Sequence, residues 1–428
     1  MSTPTPTSPD VWMDPNSDRG YARAEQLQQE FETAAGHLRQ VDGYADPADP
    51  EHRRQLRADL ALEGGGVKGI GLAGAVLALD EAGYSFARVA GTSAGAIAAC
   101  LIASISKANK PMTALRTYLG QLEFAKFMPE GKVHQFFDQQ GGVVQKANDA
   151  VILTHRMGLY PGTYLAQWLQ PILGELGVHT FADLKIDQSD DPGMSLPPNR
   201  RYRLVVHVSD ITRGELVQLP WDYAYYGLPA DDQPVVGAVR ASMSIPFFFE
   251  PVTVQTNQAS LDMAMPDGSV IRQHYASGTV TWTDGGMLRN FPIGAFDRVD
   301  GNPPRWPTIG IKLSSLQTSF GATKASATAL NVATRALDTM MNEWDRYNVE
   351  ETTAARTIFV DNAGLTATQF DLSLDQQNEL FINGVRAATK FIIDMSRASG
   401  VPRTADQARQ FALARQAPAS PSTATPPP

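Results

Sequence analysis

The stretch from Asp59 to Ser104 constrains the fold more than any other part of the chain, because it holds two successive strand-turn-helix units. The first runs from a short apolar strand, Leu60 to Leu62, into Gly64-Gly65-Gly66-Val67-Lys68-Gly69, then into a helical pattern that ends near Gly83. Three glycines in a row permit a sharp turn and leave no Cβ between a ligand and the backbone N–H groups, so the turn reads as an anion cradle. The second unit runs from Arg88-Val89-Ala90 into Gly91-Thr92-Ser93-Ala94-Gly95 and a small-residue helix, Ala96 to Ile105. This G-x-S-x-G pattern is that of a nucleophile elbow, whose glycines allow a strained turn that lifts one serine hydroxyl clear of a sheet. Ser93 is the candidate nucleophile.

Each motif alone has another reading. Gly64-x-Gly66-x-x-Gly69 and the overlapping Gly69-x-Gly71-x-x-Gly74 both fit a dinucleotide fingerprint, which would make the chain a Rossmann-type oxidoreductase. G-x-S-x-G can be a glycine-bounded turn whose serine caps a helix. Together they are more specific, because acyl transfer requires an oxyanion-binding loop beside an activated serine.

The length, 428 residues with 43% hydrophobic content, fits one large α/β domain with appendages, or two domains; one is favoured. A net charge of −9 argues against nucleic acid as a partner, since phosphate binding needs concentrated Lys and Arg. Cys100 is the only cysteine, so no disulfide within the chain and no thiol metal site are expected. The first residues lack the basic and apolar regions of a Sec signal, and the uncharged run Val89 to Ser106 reads as a buried helix rather than a membrane span. A soluble, cytoplasmic protein is expected, with export by another route left open. Three parts follow: a Pro/Ser/Thr-rich arm and a helix over 1–57, the main domain over 58–400, and a disordered tail over 401–428.

Along the chain, Tyr21 to Val41 predicts an amphipathic helix packed on the domain. Pro111 to Leu122 predicts a helix, and Glu123 to Tyr160 is an irregular, aromatic-bearing stretch that suits a mobile cap or an ordinary peripheral helix pair. Gly158 to Gly162 reads as a turn before a helix, Thr163 to Leu176, capped by Thr163. Arg201 to Val208 and Glu215 to Leu219 are strands, and Trp221, Tyr223, Tyr225 and Tyr226 suit a covered core edge better than a lipid interface. A helix from Val235 to Ser244 stops at Ile245-Pro246. Further strands are expected at Val252 to Val254, Thr279 to Thr283, Thr308 to Leu313 and Arg356 to Asp361, with helices over Ala325 to Thr353 and Asp375 to Ser399.

A serine nucleophile needs a base, and no histidine follows Asp284. The usual hydrolase order of Ser, acid, His therefore cannot use Asp284 as its acid, although an earlier Asp could pair with His207 or His274. The economical reading is a Ser93–Asp284 dyad, with Asp284 at a strand end backed by Gly285 and Gly286. Free aspartate, with a pKa of about 3.9, is a weak base toward serine, so partial burial must raise it. The alternative for Asp284 is a turn aspartate bonding its own backbone.

Four blocks in order resemble the patatin-like phospholipase family: Gly64 to Gly69 with its Lys68, Gly91 to Gly95, Ala241-Ser242 through Pro246 to Pro251, and Asp284-Gly285-Gly286 with Asn290 and Pro292. The resemblance covers about Asp59 to Ser399. It implies a three-layer α/β/α fold around a mostly parallel sheet, a Ser93–Asp284 dyad, and an oxyanion hole from Gly64, Gly65 and Gly66. It also implies no cofactor or metal, a phospholipid or other glycerolipid substrate, and transient membrane contact. Several bacterial relatives are membrane-degrading toxins or defence effectors held inactive until a partner or nucleotide signal arrives, so an activating partner, a nucleotide signal or a homo-oligomer is an expectation here. Arg289, and the excursion Gln255 to Ser277, depart from the family pattern. A non-catalytic scaffold or storage protein on the same fold is the remaining alternative.

Overall fold

The computed structural model describes residues 25–45, 54–127, 157–187, 196–264, 268–298, 304–313, 351–365, 369–398, 400–403, 407–408 and 410. Its strands are β1 Tyr44–Ala45, β2 Arg54–Leu62, β3 Tyr84–Thr92, β4 Gly158–Tyr160, β5 Leu204–Asp210, β6 Glu215–Leu219 and β7 Phe247–Phe249. They continue with β8 Val252–Thr256, β9 Ala259–Ala264, β10 Val270–Tyr275, β11 Gly278–Asp284, β12 Thr308–Lys312 and β13 Thr357–Phe359. The longer α-helices are α1 Glu25–Val41, α2 Ile70–Glu81, α3 Ala94–Lys107, α4 Ala114–Gly120, α5 Thr163–Glu175, α6 Val235–Ser242 and α7 Leu374–Arg397.

The expected α/β class is the one observed. The main sheet runs β13-β12-β2-β3-β5-β11-β8, and its first five strands are parallel. Every residue of β5 and β12 is buried, as is expected for parallel strands covered on both faces. Parallel pairing puts the C-terminal ends of β2, β3, β5 and β12 at one end of the sheet. β11 then enters antiparallel to β5, with Asp284 opposite Val208, while Thr92 pairs with His207 on the other side of that strand. Ser93, one residue beyond Thr92, and Asp284 therefore lie at one level across β5.

Helix packing explains the second dinucleotide-like motif. A Cβ on Gly74 of α2 would sit 2.0 Å from the Phe381 carbonyl of α7, and one on Gly384 would sit 2.0 Å from the Gly71 carbonyl. Gly74 and Gly384 are thus the small residues that let two backbones touch, and Gly71 is closely packed against Val360 and the Leu380 carbonyl. α7 starts at a reciprocal cap, where the Ser373 side chain accepts from the Gln376 N–H and the Gln376 side chain accepts from the Ser373 N–H. α1 packs as predicted, burying Phe31, Ala34, Ala35 and Leu38.

Several expectations change. Gly158 to Tyr160 is not a turn but a short strand paired in parallel with β7. Thr163 is not the cap of α5; Gly162, in the left-handed region, takes that position, and a Cβ there would strike the Arg240 guanidinium. Trp221, Tyr223 and Tyr226 are buried, which settles them as a covered core edge. Within the irregular stretch, Phe127 is buried against Tyr164, Phe249 and Phe370, so this aromatic belongs to the core. The rest of the suggested cap, 128–156, and most of the helix expected over 325–353 lie outside the described residues. The excursion after β8 holds the β9–β10 hairpin, with Val270 and Ile271 exposed. Packing continues past 400: Val401 and Ala408 are buried, and Arg403 bonds Asp42 and the Arg305 carbonyl. Among the described residues no helix is long and apolar enough to cross a membrane; α3 is the buried helix read from the sequence, and Cys100 within it has its thiol pushed up to about 12 by burial.

Candidate active site

The elbow has the backbone its glycines imply. Ser93 sits between β3 and α3 at φ 53, ψ −123, a left-handed value that costs a non-glycine residue about 1–3 kcal/mol. Both flanking glycines are required by close approach. A Cβ on Gly91 would lie 2.1 Å from the Gly95 carbonyl, and one on Gly95 would lie 2.3 Å from the Leu62 carbonyl at the end of β2.

Asp284 is wholly buried. Its Oδ1 accepts the Gly286 N–H at 2.7 Å, whereas Oδ2 is buried with no hydrogen-bond partner of ordinary geometry among the described residues. Burial pushes its pKa up to about 7, opposed by the nearby Ser93 hydroxyl and by the Gly286 amide. Gly285 must be glycine because its Cβ would lie 2.3 Å from the His207 carbonyl. The sheet therefore places Ser93 and Asp284, 191 positions apart in the chain (284 − 93), on either side of β5 at one level.

Neither histidine left open by the sequence engages Ser93. His207 is buried, its Nε2 meets the Gln218 amide at 3.1 Å, and burial with the Arg289 charge pushes its pKa down to about 3. His274 lies on the exposed hairpin and meets Ser260 Oγ at 2.8 Å.

The glycine-rich loop divides its labour differently from the expectation. The Gly64 N–H donates to the Asn290 carbonyl at 3.1 Å, and Asn290 Nδ2 returns a bond to the Gly64 carbonyl at 3.0 Å. Gly64 is thus spent on holding the loop, and it must be glycine, since its Cβ would lie 2.2 Å from Asn290 Oδ1 and 3.1 Å from Ser93 Cβ. The N–H groups of Gly65 and Gly66, and of Ala94 at the start of α3, have no hydrogen-bond partner among the described residues. Ala94 was not singled out from the sequence, although the N–H after an elbow serine is a recurrent oxyanion donor. Gly66, at φ 56, opens the short turn Gly66–Gly69, in which the Lys68 N–H donates to the Gly65 carbonyl. Gly69 lies against Ala94, its Cβ position 3.0 Å from that side chain.

A buried ion pair underlies the loop. Glu63, at the end of β2, bonds Lys312 of β12 and accepts the Leu313 N–H at 2.5 Å. Both partners are buried. The Leu313 side chain in turn fills the space a Cβ would need on Gly65. Burial pushes the Lys68 amine down, Glu63 opposing and Lys312 adding to the shift. Removing one partner strands the other charge, so Lys312→Met is expected to lower unfolding free energy by about 3–5 kcal/mol. Urea denaturation measures it; a loss under about 1 kcal/mol would show the pair to be solvated. Among the described residues no group of three or more His, Cys, Asp or Glu could hold a metal ion.

A parallel α/β sheet with a serine elbow beside a glycine-rich loop defines a class of α/β proteins with hydrolase-type architecture. Within that class, the chain belongs to the patatin-like phospholipase family, lipid acyl hydrolases, whose model matches residues 60–297. The uncharacterized protein YqhO of Bacillus subtilis (strain 168) is 32% identical over 335 residues, covering 78% of this chain and 97% of that protein. Among solved structures, VipD from Legionella pneumophila is similar at 15% identity with a TM-score of 0.40, covering 79% of this chain and 67% of that one.

Proposed function

We propose that this protein hydrolyses acyl esters of membrane glycerolipids, as a phospholipase A or lysophospholipase, through a Ser93–Asp284 dyad. The observation that carries this reading is a strained elbow serine beside a fully buried aspartate whose pKa is pushed up to about 7. An aspartate near neutrality can accept the serine proton and return it to the leaving alcohol, where an ordinary carboxylate is too weak a base. Ser93 Oγ would attack the ester carbonyl, and the tetrahedral oxyanion would be held by the free N–H groups of Gly65, Gly66 and Ala94. One such donor is typically worth about 3 kcal/mol. The alcohol leaves with the proton from Asp284, and water, deprotonated by the same carboxylate, releases the fatty acid and restores Ser93. The substrate resides in a bilayer, so the enzyme would work peripherally at its surface.

The test is mass-spectrometric analysis of vesicles made of phosphatidylcholine and phosphatidylglycerol after incubation with the purified protein. Free fatty acid and lysophospholipid should accumulate together. Absence of both products, with soluble acyl esters also untouched, would overturn the reading.

A further inference from the structure

The block Ala241-Ser242-Met243-Ser244-Ile245-Pro246 has no role in the chemistry above, yet it touches both reacting residues. Ser242 Oγ, at the end of α6, accepts the Ser93 N–H at 2.9 Å and donates to the His207 carbonyl at 2.7 Å. Two residues on, the Ser244 carbonyl accepts the Asp284 N–H at 2.9 Å. Both serines are completely buried. Beyond β3, where the elbow leaves the sheet, one arm holds the Ser93 amide; the other holds the amide of Asp284 at the last residue of β11.

The turn is itself stapled. The Ser244 N–H donates to the Ala241 carbonyl at 3.1 Å, and the Ser244 hydroxyl donates to the Arg240 carbonyl at 2.9 Å. The Arg240 guanidinium bonds the Ser244 hydroxyl and also donates to the carbonyls of Pro161 at 2.6 Å and Glu250 at 2.8 Å. Pro246 cannot continue the helix and disfavours helical geometry at Ile245, so the chain must leave here.

We propose that the last turn of α6 is a two-armed clamp, made by the Ser242 hydroxyl and the Ser244 carbonyl, that sets the spacing between Ser93 and Asp284. Ser242 is a positioning residue, and so is Arg240 behind it. The proposal rests on the dyad reading. The physical need is plain: Ser93 is held in a strained conformation, and a displacement of about 1 Å at a reacting group can cost a hundredfold in rate. The bond to Ser242 also removes the Ser93 N–H from the oxyanion donors, which leaves Gly65, Gly66 and Ala94 for that task.

The experiment compares Ser93→Ala, Ser242→Ala, Ser242→Thr and Arg240→Lys in the full chain, with a soluble nitrophenyl butyrate ester as substrate. Ser242→Ala should lower kcat about a hundredfold with KM changed less than about threefold. Ser242→Thr, which keeps the hydroxyl, should recover most of the loss. The acid limb of the pH profile distinguishes positioning from damage to the fold. Burial pushes the Asp284 pKa up, and the Ser93 hydroxyl and the Gly286 amide pull it down. If the clamp opens and Ser93 drifts away, that pull weakens and the limb moves to higher pH. A partly unfolded preparation would lose amplitude without moving the limb. Should Ser242→Ala prove insoluble, Arg240→Lys carries the same readout, with the same upward move expected. Inactive Ser93→Ala beside a folded Ser242→Ala with wild-type kcat and limb would overturn the clamp alone, as would an unmoved limb in Arg240→Lys where Ser242→Ala does not fold. Active Ser93→Ala would overturn the dyad instead.

Discussion

Ser93→Ala is expected to lower the turnover of short acyl esters by at least about a thousandfold, the scale on which loss of a serine nucleophile is felt. The fold should survive the change. The Ser93 side chain makes no capping bond to α3, and alanine tolerates φ 53 no better and no worse than serine, so the elbow strain is the same in both proteins. The amide bond to Ser242 involves the backbone and persists. A phosphonate probe that labels activated serines should mark the wild type and fail on the variant. Wild-type turnover in a clean Ser93→Ala preparation would end the serine-hydrolase reading.

The parts of the site legible in the sequence are those encoded by local sterics. Gly91 and Gly95 are written as glycines because the elbow folds back on itself and on β2, so a five-residue motif is enough to find Ser93. Other roles depend on partners far away in the chain. Gly64 loses its N–H to Asn290, 226 residues later (290 − 64), and nothing near Gly64 announces that bond, so the glycine run reads as three equal donors. β4 is hidden in the sequence because a three-residue segment that starts at Gly158 and runs straight into Pro161 looks like a turn until β7 supplies its ladder. The block from Ala241-Ser242 to Pro246 carries the family resemblance, but it does not reveal what Ser242 and Ser244 hold, since small polar residues at a helix end are commonplace and only tertiary contact gives them amides to bond.

Asp284 shows how two sequence readings can each be half right. It does bond its own backbone two residues on, as a turn aspartate would, but only through Oδ1. Complete burial raises the pKa and leaves Oδ2 without a hydrogen bond of ordinary geometry among the described residues, and burial depends on β5, α6 and β11 packing together. The sequence placed the carboxylate at a strand end; packing raised its pKa.

Asp284→Asn keeps shape and can still accept the Gly286 N–H, but it cannot take a proton from Ser93. Turnover is expected to fall at least about a hundredfold, the lower range for loss of a general base. In the wild type the rate should rise with pH through about 7, where Asp284 becomes ionised. That limb falls near the imidazole range of about 6.5, so its position alone does not separate a carboxylate from a histidine. Its temperature dependence does: carboxylic acids ionise almost athermally, whereas imidazolium ionisation is strongly endothermic. A limb that stays in place on warming belongs to Asp284, and His207, pushed down to about 3, is neutral throughout. The same burial has a cost in stability. Raised from 3.8 to about 7, the Asp284 pKa favours the folded state fully below pH 3.8, and this contribution is lost as pH rises through about 7. Asparagine does not titrate, so Asp284→Asn should gain stability relative to wild type between those values, by on the order of a few kcal/mol at pH 8. Thermal melts of both proteins at pH 4 and pH 8 measure the difference. A gap that does not widen with pH, or a variant that retains most of its activity, would mean that Asp284 is only the turn residue at the end of β11.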